Sequence, residues 1–90
     1  MAGPAPAQDA RTLLAEHKCY VCHADRETAT GPAFAAVAAG YKGQPAAPAR
    51  VAAAIKGGVR GGGPWHMPPH PEISEADART MATYILSLPP

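Results

Sequence analysis

Apolar positions fall at helical spacing in four stretches, separated by glycine and proline. In the first, Ala10, Leu13, Leu14 and His17 share one face behind Asp9, an acidic N-cap candidate. A helix is expected there over 10–18, ending on Cys19. A short second helix is expected over 33–39, with Pro32 in its first turn and Gly40 at its stop. A third is expected over 47–56, closed by Gly57 and Gly58. Ser74 opens the clearest pattern: Asp77 stands three residues on as a capping box, and Met81, Tyr84, Ile85 and Leu88 form one apolar stripe that Pro89 and Pro90 end.

From Gly57 to Pro71 glycine and proline are so dense that the stretch reads as a structured loop. No window alternates polar with β-branched or aromatic residues, so no sheet is expected and the fold class is all-α. Residues 1–8, nearly all Ala, Pro and Gly, read as a flexible arm ahead of one domain over 9–90.

Composition sharpens this picture. Hydrophobic residues make up 47% of the 90 positions, but 21 of them are alanine. At about 25 cal/mol per Å² of buried apolar surface, alanines contribute little against a backbone entropy cost of about 1–2 kcal/mol per residue. A small domain with so thin a core is expected to be filled by a metal or a large cofactor, since two cysteines form one disulfide at most. The net charge of +1 forms no basic stripe for nucleic acid. No stretch approaches the about 20 apolar residues that span a bilayer. The opening MAGPAPAQ has neither the basic nor the apolar segment of a secretory leader.

The cofactor is indicated by C19-Y-V-C22-H23, the C-x-x-C-H spacing of c-type haem attachment. Two thiols a turn apart can add to the two vinyl groups of neighbouring pyrroles, and a histidine directly after the second thiol lies beneath the iron. A buried disulfide and a zinc site are the competing readings. Zinc would take Cys19 and Cys22 with His66 and His70, which stand at H-x3-H spacing. Against it, Cys22 and His66 are much farther apart than the usual interval of about 12–15 residues, and two prolines interrupt the stretch where a finger needs helix. A redox dithiol would need a βαβ setting that this pattern lacks.

Opposite a proximal His23, the iron is expected to bind Met67, held in the Gly- and Pro-rich loop G61-G-G-P-W-H-M-P-P-H70. His66 and His70 are the rival ligands, and Met81, on the last helix, is expected to fill the core. A neutral, soft thioether favours Fe(II) and raises the potential. Two strong-field ligands leave no open position for substrate, which points away from an enzyme.

With C19-x-x-C-H23, G31-P32, M67-P68-P69 and a final helix in place, the chain resembles the short bacterial class I cytochromes c of the cytochrome c-551 type, over about residues 9–88. The resemblance implies a class I cytochrome c fold of about four helices around one covalent haem c, with first and last helices crossing near the attachment site. It implies that the carbonyl of Pro32 accepts a hydrogen bond from His23. Family members carry a tryptophan several residues before the methionine, on a haem propionate. Here Gly62 takes that place and Trp65 stands two residues before Met67, so Trp65 is expected to pack by the haem. Lys56 and Arg60 are further candidates for the propionates.

The function implied is one-electron transfer between redox proteins that dock at the exposed haem edge, framed by Tyr20, Val21 and the small residues around Met67. The chain would act as a free shuttle, a monomer, or as a module or subunit of a larger oxidoreductase. A haem sensor or peroxidase would need Met67 to dissociate. The resemblance places it in the periplasm, where this motif receives its haem. Ferric porphyrin adds one positive charge to the chain's +1 and two propionates remove two, so the loaded protein is expected to be neutral oxidised and singly negative reduced. Strong electrostatic steering is therefore not expected.

Overall fold

The first helix, α1, runs Ala7–Glu16 in the computed structural model, which describes residues 7–60 and 66–89. It starts inside the stretch read as an arm, whose residues 1–6 lie outside the described ones. Asp9 is therefore in the first turn rather than at the cap, where its carboxylate still faces the positive end of the helix. Nor does the helix reach Cys19. Lys18 adopts a left-handed conformation (φ 63°, ψ 24°) that stops it and starts a 3-10 turn over Cys19–Val21.

Helix α2, Phe34–Gly40, begins one residue later than expected, so Pro32 precedes the cap residue Ala33 instead of occupying the first turn. The first amides of a helix have no partner within it. Here Phe34 and Ala35 donate back to the carbonyls of Ala24 and Asp25, both at 2.9 Å, which ties the start of α2 to the segment just after His23. Gly40 is the last helical residue rather than the breaker, and Gly43 (φ 83°) carries the left-handed turn beyond it.

Helix α3, Ala47–Gly57, has proline in its first turn and ends where Gly58 takes φ 77°. Helix α4, Glu75–Ser87, is capped as its sequence indicates, with Ser74 Oγ accepting from the Asp77 amide at 3.0 Å. It is the central element and packs against α1, α2 and α3. Ala78, Met81, Ala82 and Ile85 are buried along it, facing Leu14, Phe34, Val51, Ala52, Ile55 and Ile73 in one cluster. Tyr84 and Leu88 flank that cluster half-buried.

Among the described residues, seven of the fifteen buried apolar ones are alanine, and Ala10, Ala52, Ala78 and Ala82 lie on the helices that pack together. Small side chains let those helix backbones approach, which is how an alanine-rich chain packs closely without many large residues. No strand is present among the described residues; the antiparallel pairing of Val59 with Met67 is an isolated bridge.

Candidate haem-binding site

The 3-10 turn sets the spacing of the two thiols. The amides of Cys22 and His23 both donate to the carbonyl of Cys19, at 3.2 and 3.0 Å, so Cys19 and Cys22 stand one turn apart with His23 directly after. Both thiols are free. Cys19 is buried, at 8% exposure, while Cys22 is half-buried. Burial pushes the Cys19 thiol up, keeping it neutral and protonated against the apolar core.

Three neighbours orient the imidazole of His23. Its Nδ1 lies 2.7 Å from the carbonyl oxygen of Pro32, the contact the resemblance implies. A carbonyl can only accept, so Nδ1 carries the proton and Nε2 keeps the lone pair that a metal needs. The displacement of Pro32 out of α2 leaves its carbonyl uncommitted to the helix and able to do this. Phe34 stacks on the ring at 4.8 Å and 21°. On another side Gly31 passes so near that a Cβ there would meet Cε1 at 2.5 Å and Nδ1 at 2.8 Å. Its amide donates to the Cys22 carbonyl at 2.6 Å, holding the chain in that approach.

The methionine loop is fastened to the end of α3. Val59 and Met67 exchange two backbone hydrogen bonds at 2.9 Å, and the His70 amide donates to the Lys56 carbonyl at 3.0 Å. Gly58 makes the fastening possible: its positive φ suits glycine, and a Cβ there would stand 2.6 Å from the Met67 carbonyl oxygen. The Met67 side chain is half-buried and packs against the core cluster. Met81, by contrast, is fully enclosed in that core at 0% exposure, the place expected for a filler. Gly62 and Trp65 lie outside the described residues.

His66 is exposed, and among the described residues no three His, Cys, Asp or Glu side chains converge, so the zinc arrangement of Cys19, Cys22, His66 and His70 is not assembled. Lys56 forms an ion pair with Glu75 at 3.6 Å, and Arg60 is exposed.

Two residues escape a linear reading of the sequence. Phe34, the single phenylalanine, covers His23. Asp25 accepts hydrogen bonds from Tyr20 at 3.0 Å and Tyr84 at 2.6 Å. His70, a rival ligand in the sequence, has its Nδ1 buried with no hydrogen-bond partner among the described residues.

These residues fit a covalent haem. Two free thiols stand at the right interval, an imidazole is locked with Nε2 available, and an orphaned buried nitrogen lies three residues beyond a core-facing thioether.

Comparison with known proteins places the chain in a family. The family model described as Cytochrome c matches residues 7–89. The chain is 40% identical to cytochrome c-551 of Pseudomonas aeruginosa over 82 residues, covering 90% of this chain and 78% of that protein. It is 41% identical to cytochrome c-551 of Allochromatium vinosum over 86 residues, covering 93% of this chain and 92% of that protein. The crystal structure of Nitrosomonas europaea cytochrome c552 superposes with a TM-score of 0.81 at 37% identity, covering 87% of this chain and 98% of that one. From the thiol spacing, the locked histidine and these likenesses together, the chain belongs to the cytochrome c family, with an all-α class I fold, covalently attached haem c and haem-based electron transfer.

Proposed function

We propose that the chain carries single electrons between redox proteins through a low-spin iron held by His23 and Met67, with Cys19 and Cys22 forming the thioethers, and that it is not an enzyme. The observation that carries this reading is the 2.7 Å contact between His23 Nδ1 and the Pro32 carbonyl, which leaves Nε2 as the ring's metal-binding atom. Haem iron, when bound, supplies the one-electron Fe(II)/Fe(III) couple. His23 supplies a fixed imidazole, stiffened by Phe34 and Gly31. Met67 supplies a neutral sulfur from a loop whose backbone is pinned at Val59 and Lys56, so the ligand set changes little between oxidation states. That Met81 is enclosed in the core supports Met67 as the sulfur ligand.

Docking of donors and acceptors takes place where the attachment turn meets solvent. Val21, between the two cysteines, is 74% exposed, and Val59 beside the methionine loop is also exposed. With a net charge near zero once loaded, the contact is weak, short-lived and apolar, and its association rate changes little with salt. The same site serves a free shuttle or a module of a larger oxidoreductase. Among the described residues no helix is long and apolar enough to cross a membrane. The periplasm is the compartment that fits covalent attachment to this motif.

An optical spectrum of the purified protein, ferric and then dithionite-reduced, with a pyridine haemochrome on the same sample, tests the reading. Sharp c-type bands on reduction and a weak long-wavelength ferric sulfur-to-iron band that disappears in Met67→Ala are expected. A c-type spectrum whose sulfur band survives that substitution would move the ligand elsewhere. A colourless zinc protein would remove the haem assignment altogether.

A further inference from the structure

Asp25 stands two residues after His23 and is held from several directions. Tyr20 donates to its Oδ1 at 3.0 Å, and Tyr84, from α4 and 59 residues farther along, donates to its Oδ2 at 2.6 Å. Its backbone carbonyl accepts the Ala35 amide of α2 at 2.9 Å. The adjacent Arg26 donates to the Pro89 carbonyl at 2.9 Å, so the same short segment is tied twice to the C-terminal end of the chain.

One of the phenols that hold this carboxylate also belongs to the packing around the imidazole. The Tyr20 ring meets Phe34 edge-on at 5.8 Å, and Phe34 is the ring stacked on His23. Burial first, and then the hydrogen bond to Asp25, push both the Tyr20 and Tyr84 phenols up, so they remain donors well beyond neutral pH.

We propose that Asp25 is a positioning residue that lowers the reduction potential: held by Tyr20 and Tyr84, its carboxylate is a fixed negative charge in the segment that directly follows His23. The inference rests on the His23-ligated haem proposed above. A charge half-buried in protein acts over a longer range than one in water, because the surrounding dielectric response is weaker. A negative charge there favours the ferric state, which carries the extra positive charge. The two phenol donors offset part of that field and keep the carboxylate in place. Removing the carboxylate's charge and removing one of its donors must therefore shift the potential in opposite directions.

The test is voltammetry of the haem-loaded protein at neutral pH and low salt, with thermal unfolding recorded on the same samples. Asp25→Asn should raise the potential, while Tyr84→Phe and Tyr20→Phe should lower it, and all three should unfold at lower temperature. A simple mechanical tie would lower the unfolding temperatures and leave the potentials together, and that result overturns the proposal. So does a shift of all three in one direction, the mark of water entering around the haem. If Asp25→Asn does not mature, the two tyrosine variants decide the matter: without a fall in potential the proposal fails. The wild-type spectrum separates the two readings. Absence of c-type bands would defeat the haem assignment before any variant is compared, whereas a normal wild-type spectrum with unmoved variant potentials would defeat this inference alone.

Discussion

Gly31 lies against the imidazole of His23 so closely that a methyl group there would stand 2.5 Å from Cε1. Its backbone does not have positive φ, so the glycine is required by approach rather than by conformation. Pro32, the next residue, turns its carbonyl to Nδ1 of the same ring. One residue makes room for the imidazole and its neighbour aims it.

Gly31→Ala should therefore force the ring away from its set position, where Phe34 stacks on one of its faces. Overpacking of this kind costs about 1–3 kcal/mol. Denaturant unfolding should show that loss, and the hyperfine-shifted proton spectrum of the ferric protein should report a changed imidazole orientation. An unchanged spectrum with unchanged stability would mean that the loop yields instead of the ring.

The two described methionines should behave oppositely. Met81 is wholly enclosed by the core, and Met81→Ala leaves a cavity there, for which about 2–5 kcal/mol of lost stability is expected. The sulfur-to-iron band should persist in that variant. Met67→Ala should abolish the band and lower the potential. Equal spectral effects from both substitutions would count against this division of roles.

Alkaline pH should destabilise the fold through two phenols. Tyr20 and Tyr84 are raised by burial and then by Asp25, so the folded state holds these protons more tightly than the unfolded chain does. Their contribution to stability is fully present below the ordinary phenol value of about 10 and is lost as pH rises through the folded values. Titration with base, followed by phenolate absorbance near the ultraviolet edge and by circular dichroism, should show these groups ionising late. Tyr84→Phe should remove one late-ionising phenol and flatten the alkaline loss of stability.

Ser74→Ala removes the oxygen that accepts the Asp77 amide at the start of α4. A lost N-cap costs about 0.5–2 kcal/mol. Because α4 packs against each of the other three helices, the loss should appear as a lower global unfolding midpoint. Ser74→Asp should restore most of it, and neither variant should alter the optical spectrum.

What the sequence by itself determined was local. Four helices could be read from apolar spacing and from breakers, the cap of α4 from Ser74 and Asp77, and the attachment site from five consecutive letters, since each depends on residues within one or two turns of one another. The role of the Pro32 carbonyl came with the resemblance those letters support. Helix ends were less legible: the chain leaves α1 where Lys18 turns left-handed, a conformation no residue type there announces. Tertiary structure alone decided that Phe34 covers His23, that Gly31 is needed for its lack of a side chain, and that Asp25 gathers phenols from the attachment turn and from a helix 59 residues away. Periodicity states which face of a helix is buried but not which residue of another helix it will meet; that depends on how α4 crosses its neighbours, and only the folded chain specifies it.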